Sequence, residues 1–89
     1  VIAILALNEK TGEVIYGPDI ITRGLIFERE SAELLEGAKN VVLDALGNIN
    51  TEAKTDWIEV KEEIRKALRR FFNKALERKP IILPLILEM

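Results

Sequence analysis

Residues 80–89 read P-I-I-L-P-L-I-L-E-M, a run that is apolar on both faces of any strand it forms. Successive strand side chains point to opposite faces, so a strand with one wet face alternates apolar with polar residues. Here Ile81, Leu83, Leu85 and Leu87 occupy one face, and Ile82, Pro84 and Ile86 occupy the other. A chain of 89 residues has few elements with which to cover both. The tail therefore predicts that something outside the chain covers one face. Ile81, Leu83, Leu85, Leu87, Ile82 and Ile86 are the candidate interface residues.

Working back from the tail, Pro80 is the expected end of a long amphipathic helix. Trp57, Val60, Ile64, Ala67, Leu68, Phe71, Phe72 and Ala75 trace its apolar stripe, and Asp56 with Glu59 has the spacing of a capping box. Trp57 reads as a core anchor between this helix and a sheet. A first helix starts at Ser31, the expected N-cap, with Glu33 and Glu36 near its positive end. Its apolar positions are Leu34, Leu35, Ala38, Val41, Val42, Ala45 and Leu46, and Gly47-Asn48 is the expected stop. A short polar connector, residues 48–55, joins the two, so they should pack antiparallel on one face of the sheet.

The sheet's other members lie at the start of the chain. Residues 1–7 are apolar and β-rich, Asn8 to Gly12 form a turn, and residues 13–16 return, which together make a hairpin. Gly17-Pro18 punctuates it, and residues 20–27 form a further extended stretch interrupted by Gly24. The expected fold class is α+β: a small three- or four-stranded sheet of N-terminal hairpin, middle strand and C-terminal strand, with two antiparallel helices packed on one face. Residues 1–89 are read as one domain. The abrupt apolar start without an initiator methionine leads us to expect a fragment of a longer chain, without a signal peptide.

Nearly half the residues are hydrophobic, 31% are charged and the net charge is −2, a globular composition. No apolar run approaches the roughly 20 residues of a membrane helix. The absence of cysteine excludes disulfides and thiol chemistry and is compatible with the cytoplasm, the expected location. Histidine is also absent, which removes the commonest general base and, with cysteine, the commonest zinc ligands. The carboxylates Glu59, Glu62 and Glu63 read as a solvated helix face, since no hard-metal loop is present. Ser31 has neither a nucleophile-elbow setting nor a histidine to activate it. We therefore assign no catalytic residue, no metal ligand and no cofactor to this chain.

Charge is unevenly spread. Residues 65–79 contain Arg65, Lys66, Arg69, Arg70, Lys74, Arg78 and Lys79 against Glu77 alone. Two readings fit this stripe. It is either the solvated back of the second helix or a surface for phosphates, with Arg65, Arg69, Arg70 and Lys74 as the candidate RNA contacts. The missing aromatic interleaving weighs toward the solvated back. Arg23, which interrupts an apolar stretch beside Gly24, is the remaining candidate RNA or partner contact; its alternative role is an edge charge that discourages aggregation.

Several segments, taken in order, resemble the C-terminal domain of ribonuclease J. They are Gly17-Pro18-Asp19-Ile20-Ile21-Thr22-Arg23-Gly24, then Arg29-Glu30-Ser31, then Thr55-Asp56-Trp57 with Ile64-Arg65 and Ala67-Leu68, and finally Arg78-Lys79-Pro80-Ile81-Ile82-Leu83-Pro84 with Glu88. The chain departs from the family at Leu25 and Asn73, where an aromatic is frequent, and at Ile81 and Leu87, where methionine is frequent. The resemblance implies a module that follows a metallo-β-lactamase-type core with an inserted β-CASP domain, in an enzyme cutting RNA both endonucleolytically and from 5′ to 3′. Zinc is implied for that core, whose metal motif is His-rich, and none of its catalytic residues maps onto this chain. The family's C-terminal domain is a small sheet backed by two helices and is associated with assembly into dimers or tetramers. The expected partners are thus a second copy, a dimer above all, and the catalytic core, with RNA met through the whole enzyme and neither membrane nor DNA.

Four large aliphatic side chains per protomer, each contributing roughly 1.5–3 kcal/mol on full burial, would give a dimer about 12–24 kcal/mol. Association costs about 4–15 kcal/mol and the burial figure is an upper bound. Self-association is favoured on this account, and docking on the core is its rival.

Overall fold

The first strand is the middle of the sheet. In the computed structural model, which describes residues 1–22, 31–49, 56–77 and 79–89, β1 (Ile2–Leu7) is flanked on both sides. β2 (Val14–Ile21) pairs with it antiparallel and β3 (Leu83–Glu88) pairs parallel, giving the order β2-β1-β3. Between β2 and β3 in sequence come α1 (Ser31–Gly47) and α2 (Trp57–Leu76). The fold is α+β, with three strands among the described residues.

The hairpin turn follows from its residues. Asn8 accepts at its side-chain Oδ1 from the backbone N–H groups of Lys10 (2.8 Å) and Thr11 (3.1 Å), and Gly12 supplies the positive φ of 76° that closes the turn. The Asn8 N–H then donates to the Glu13 carbonyl at 2.8 Å.

Beyond the turn the sequence expectation needs correction. Gly17-Pro18 does not end the strand; β2 runs through it as one element to Ile21. The register shows why. Ile4 pairs with Asp19 and Ala6 with Tyr16, so Gly17 and Pro18 together face Leu5 alone, and a second extra residue, Ile15, falls between the Ala6–Tyr16 and Leu7–Val14 pairs. The strand absorbs its glycine and proline as a bulge. Ile20 and Ile21, expected to open a separate middle strand, are therefore the end of β2; the rest of that stretch, including Arg23 and Gly24, lies outside the described residues.

Both helices form where the apolar periodicity places them. Asp56 caps α2, its Oδ1 accepting from the N–H groups of Ile58 (3.2 Å) and Glu59 (3.3 Å). The far end differs from expectation. Pro80 lies beyond the helix, which stops after Leu76 because Glu77 turns left-handed at φ 55°, ψ 33°. Gly47 likewise stays helical, and α1 closes by a tightened turn in which the Asn48 N–H is shared between the Asp44 (3.1 Å) and Ala45 (3.2 Å) carbonyls. The start of α1 lies beside the end of α2, with Glu33 and Leu34 near Ala75 and Leu76, so the pair is antiparallel.

The core sits between the sheet and this helix pair. Ala3, Leu5 and Leu7 of β1, Ile20 of β2 and Ile82 meet Ala38 and Val42 of α1 and Val60, Ile64, Leu68 and Phe72 of α2, with Trp57 packed at the rim. Gly37 lets the helices approach closely, since a Cβ there would lie 2.8 Å from the Phe71 ring. Among the described residues no helix is long and apolar enough to cross a membrane.

Gly17 is the position where the sheet tolerates no side chain. Its φ is +89°, and a Cβ would lie 2.5 Å from the Ile4 carbonyl oxygen. Gly17→Ala is expected to lower stability by about 2 kcal/mol or more. Urea unfolding followed by Trp57 fluorescence measures this, and an unchanged midpoint contradicts the strained geometry.

Candidate interaction surfaces

Residues paired across neighbouring strands share a sheet face. With β1 registered on both neighbours, the face turned away from the helices is composed of three rows: Ile21–Ile2–Leu83, Asp19–Ile4–Leu85 and Tyr16–Ala6–Leu87. Eight of these nine side chains are apolar or aromatic, so the surface is continuous across all three strands. Ala6 is buried by its neighbours and Ile2 and Ile4 are half-buried, while Leu83 (53%), Leu85 (51%), Leu87 (56%) and nearby Ile81 (78%) remain exposed. Tyr16 and Met89 widen the exposed surface.

The candidate interface residues of the tail thus separate by parity. Ile81, Leu83, Leu85 and Leu87 point away from the helices, whereas Ile82 is in the core and Ile86 packs against it. Ile82 is covered and Ile86 partly covered, because α2 lies over β3.

The edge of β3 is less inviting than its face. The N–H groups of Leu83 and Met89 donate to the Val1 (2.8 Å) and Leu7 (2.9 Å) carbonyls, so the odd-numbered residues spend their backbone groups on β1. The even-numbered residues face the free edge, and there Pro84 has no N–H to offer. A proline at that position discourages edge-to-edge pairing. The apolar face is the better candidate.

A second surface forms on α2. Val60, Ile64, Leu68 and Phe72 fill its inner stripe, which leaves Lys66, Arg69, Arg70 and Asn73 on the opposite side. These four, joined by Lys79 from the segment that leads into β3, line an open hollow of about 560 Å³. The sequence candidates for RNA contact do not all come together. Arg69 and Arg70 line the hollow, Arg65 is held by Glu62, and Lys74 turns toward the groove between the helices with Asp44 and Asn48. Arg23 lies outside the described residues. Lys66, Asn73 and Lys79 were not among the candidates. Helical spacing from Arg69 and Arg70 would have found Lys66 and Asn73, whereas Lys79 arrives only through the left-handed turn at Glu77.

Among the described residues, no three His, Cys, Asp or Glu side chains are placed to hold a metal ion.

The chain matches, over residues 1–89, the family model described as Ribonuclease J C-terminal domain. It is 32% identical over 88 residues to Ribonuclease J2 of Bacillus subtilis and to Ribonuclease J 2 of Staphylococcus epidermidis, and 31% identical to Ribonuclease J 2 of Staphylococcus aureus. Each match covers 99% of this chain but only 16% of the relative, so the chain spans a small part of the curated proteins it matches.

The two faces of the tail should respond oppositely to substitution. Ile82→Ala is expected to cost about 2–4 kcal/mol, because it opens a cavity in the core. Leu83→Ser, on the exposed side of the adjoining β3, should stay within about 0.5 kcal/mol of the parent in the monomer. Equal losses in chemical denaturation would contradict the assignment of faces.

Proposed function

Because the chain belongs to the ribonuclease J C-terminal domain family, we propose that it is the assembly and scaffolding domain of a larger RNA-processing and RNA-degrading metallohydrolase. The observation that carries this reading is the three-row apolar face formed by β1, β2 and β3. The chemistry, endonucleolytic and 5′-to-3′ exonucleolytic, is assigned to the remainder of the enzyme. Its zinc belongs there too, since this chain supplies no histidine or cysteine as ligand. We place the enzyme in the cytoplasm, where it meets RNA. The domain's own task is to hold copies of the enzyme together, with a dimer as the simplest product.

Half-exposure changes the energetics expected from sequence. Ile81, Leu83, Leu85 and Leu87 retain roughly 60% of their surface for a partner, from individual exposures of 78%, 53%, 51% and 56%. Two protomers then gain about 7–14 kcal/mol from these side chains, comparable with an association cost of about 4–15 kcal/mol. Tyr16, Ile4 and Met89 must join the interface for the balance to favour a dimer. The isolated domain should therefore associate weakly, and tight assembly of the whole enzyme would draw on additional contacts.

Sedimentation velocity tests the proposal. The 89-residue chain should show concentration-dependent dimers at high micromolar concentration, and Leu85→Glu should abolish them without changing the unfolding midpoint. A strict monomer across the whole concentration range contradicts self-association and leaves the catalytic core as the occupant of the face. Neither protein should cleave labelled RNA, with or without added zinc; cleavage that persists after repurification would contradict the scaffolding role.

A further inference from the structure

The hollow on the back of α2 has a charge pattern that ordinary helix electrostatics does not explain. Cations stabilise a helix near its C-terminus, but that effect fades within the last turn, where Lys74 is the basic residue. Lys66, Arg69 and Arg70 lie earlier. A local ion pair accounts for Lys66 but not for the two arginines. Glu62 pairs with Arg65 and Glu63 with Lys66 (3.8 Å), which neutralises the carboxylates one turn back; Arg69, Arg70 and Lys79 enter none of the ion pairs found among the described residues. Among the described residues no carboxylate lines the hollow. Outside those ion pairs, Arg69, Arg70 and Lys79 therefore converge with Lys66 and the amide of Asn73 in one concavity, and Arg70 also borders the groove that Asp44 lines.

We propose that this hollow seats the sugar-phosphate backbone of single-stranded RNA. From Lys66 to Asn73 the helix advances about 10 Å, which is long enough to meet more than one phosphate. The arginines offer planar forks suited to phosphate oxygens, the lysines add mobile point charges, and Asn73 can donate to a phosphate or a 2′-hydroxyl. Among the described residues no aromatic side chain lines the hollow, so they offer bases no platform on which to stack. Binding is consequently electrostatic and indifferent to sequence. The hollow lies across the helix layer from the apolar sheet face, so one domain can assemble and hold RNA at once. That the polyanion is RNA rests on the proposed function of the family; the hollow itself does not depend on it.

Fluorescence anisotropy of the 89-residue chain with short labelled oligouridylate and oligoadenylate, titrated from about 50 to 200 mM salt, tests the proposal. Three to four neutralised phosphates predict a slope of roughly −2 to −3 in log K against log salt, equal for the two oligonucleotides. Arg69→Glu/Arg70→Glu should weaken binding at least about tenfold and flatten the slope by about 1.4. The charge-matched Lys10→Glu/Lys39→Glu and the assembly variant Leu85→Glu should bind as the parent does, with Trp57 emission confirming that each variant is folded. Four results overturn the proposal: no binding at about 50 mM salt, equal loss in the Lys10/Lys39 variant, about a tenfold preference for one oligonucleotide, or tighter binding of a phosphoserine peptide through the same arginines. Loss of RNA binding with assembly intact, or the reverse, tells this inference apart from the assembly proposal.

Discussion

The parallel pairing of β1 with β3 is the constraint on which the rest of the molecule depends. It joins residues 80 apart in sequence, with the Val1 nitrogen donating to the Ile81 carbonyl at 2.9 Å and the Leu83 N–H returning to the Val1 carbonyl at 2.8 Å. Parallel strands cannot be joined by a tight turn, so the connection must pass through β2 and both helices before β3 can be placed. Those helices are then confined to one side of the sheet. The same pairing puts β1 at the centre, where Ala3, Leu5 and Leu7 are fully buried.

From that placement follows the division of labour between faces. Strand parity sends Ile82, Pro84 and Ile86 toward α2 and Leu83, Leu85 and Leu87 away from it, where they join Ile2, Ile4 and Tyr16. This continuous apolar sheet face is the surface proposed for association. Helix α2 repeats the division at right angles to its axis: its inner stripe closes the core, and its outer side gathers positive charge. One helix thereby separates an apolar surface from a cationic one.

Much of this was legible in the chain. The period-3.6 stripes located both helices, Asp56 marked the start of α2, and the turn at Asn8 to Gly12 was recognisable from its residues. The misreadings share a cause. Gly17-Pro18 looks like a strand break because a proline removes a ladder donor, yet a bulge opposite Leu5 accommodates it once β1 is present as a template. Pro80 looks like the helix stop because proline cannot continue a helix, yet Glu77 had already left the helical region. In both cases local chemistry offered a plausible signal, and a neighbour in space or an earlier turn decided the outcome.

By itself the sequence determined that residues 81–87 are apolar at every position and that one amphipathic helix precedes them, because composition and period are properties of the chain alone. It could not say which half of the tail was spare. That choice needed α2 to settle over β3 and register to align Ile2, Ile4 and Ala6 with Leu83, Leu85 and Leu87. The cationic hollow likewise required Lys79 to be carried back beside Arg69 and Arg70. A surface is a matter of which residues meet across distance, and only the folded chain brings them together.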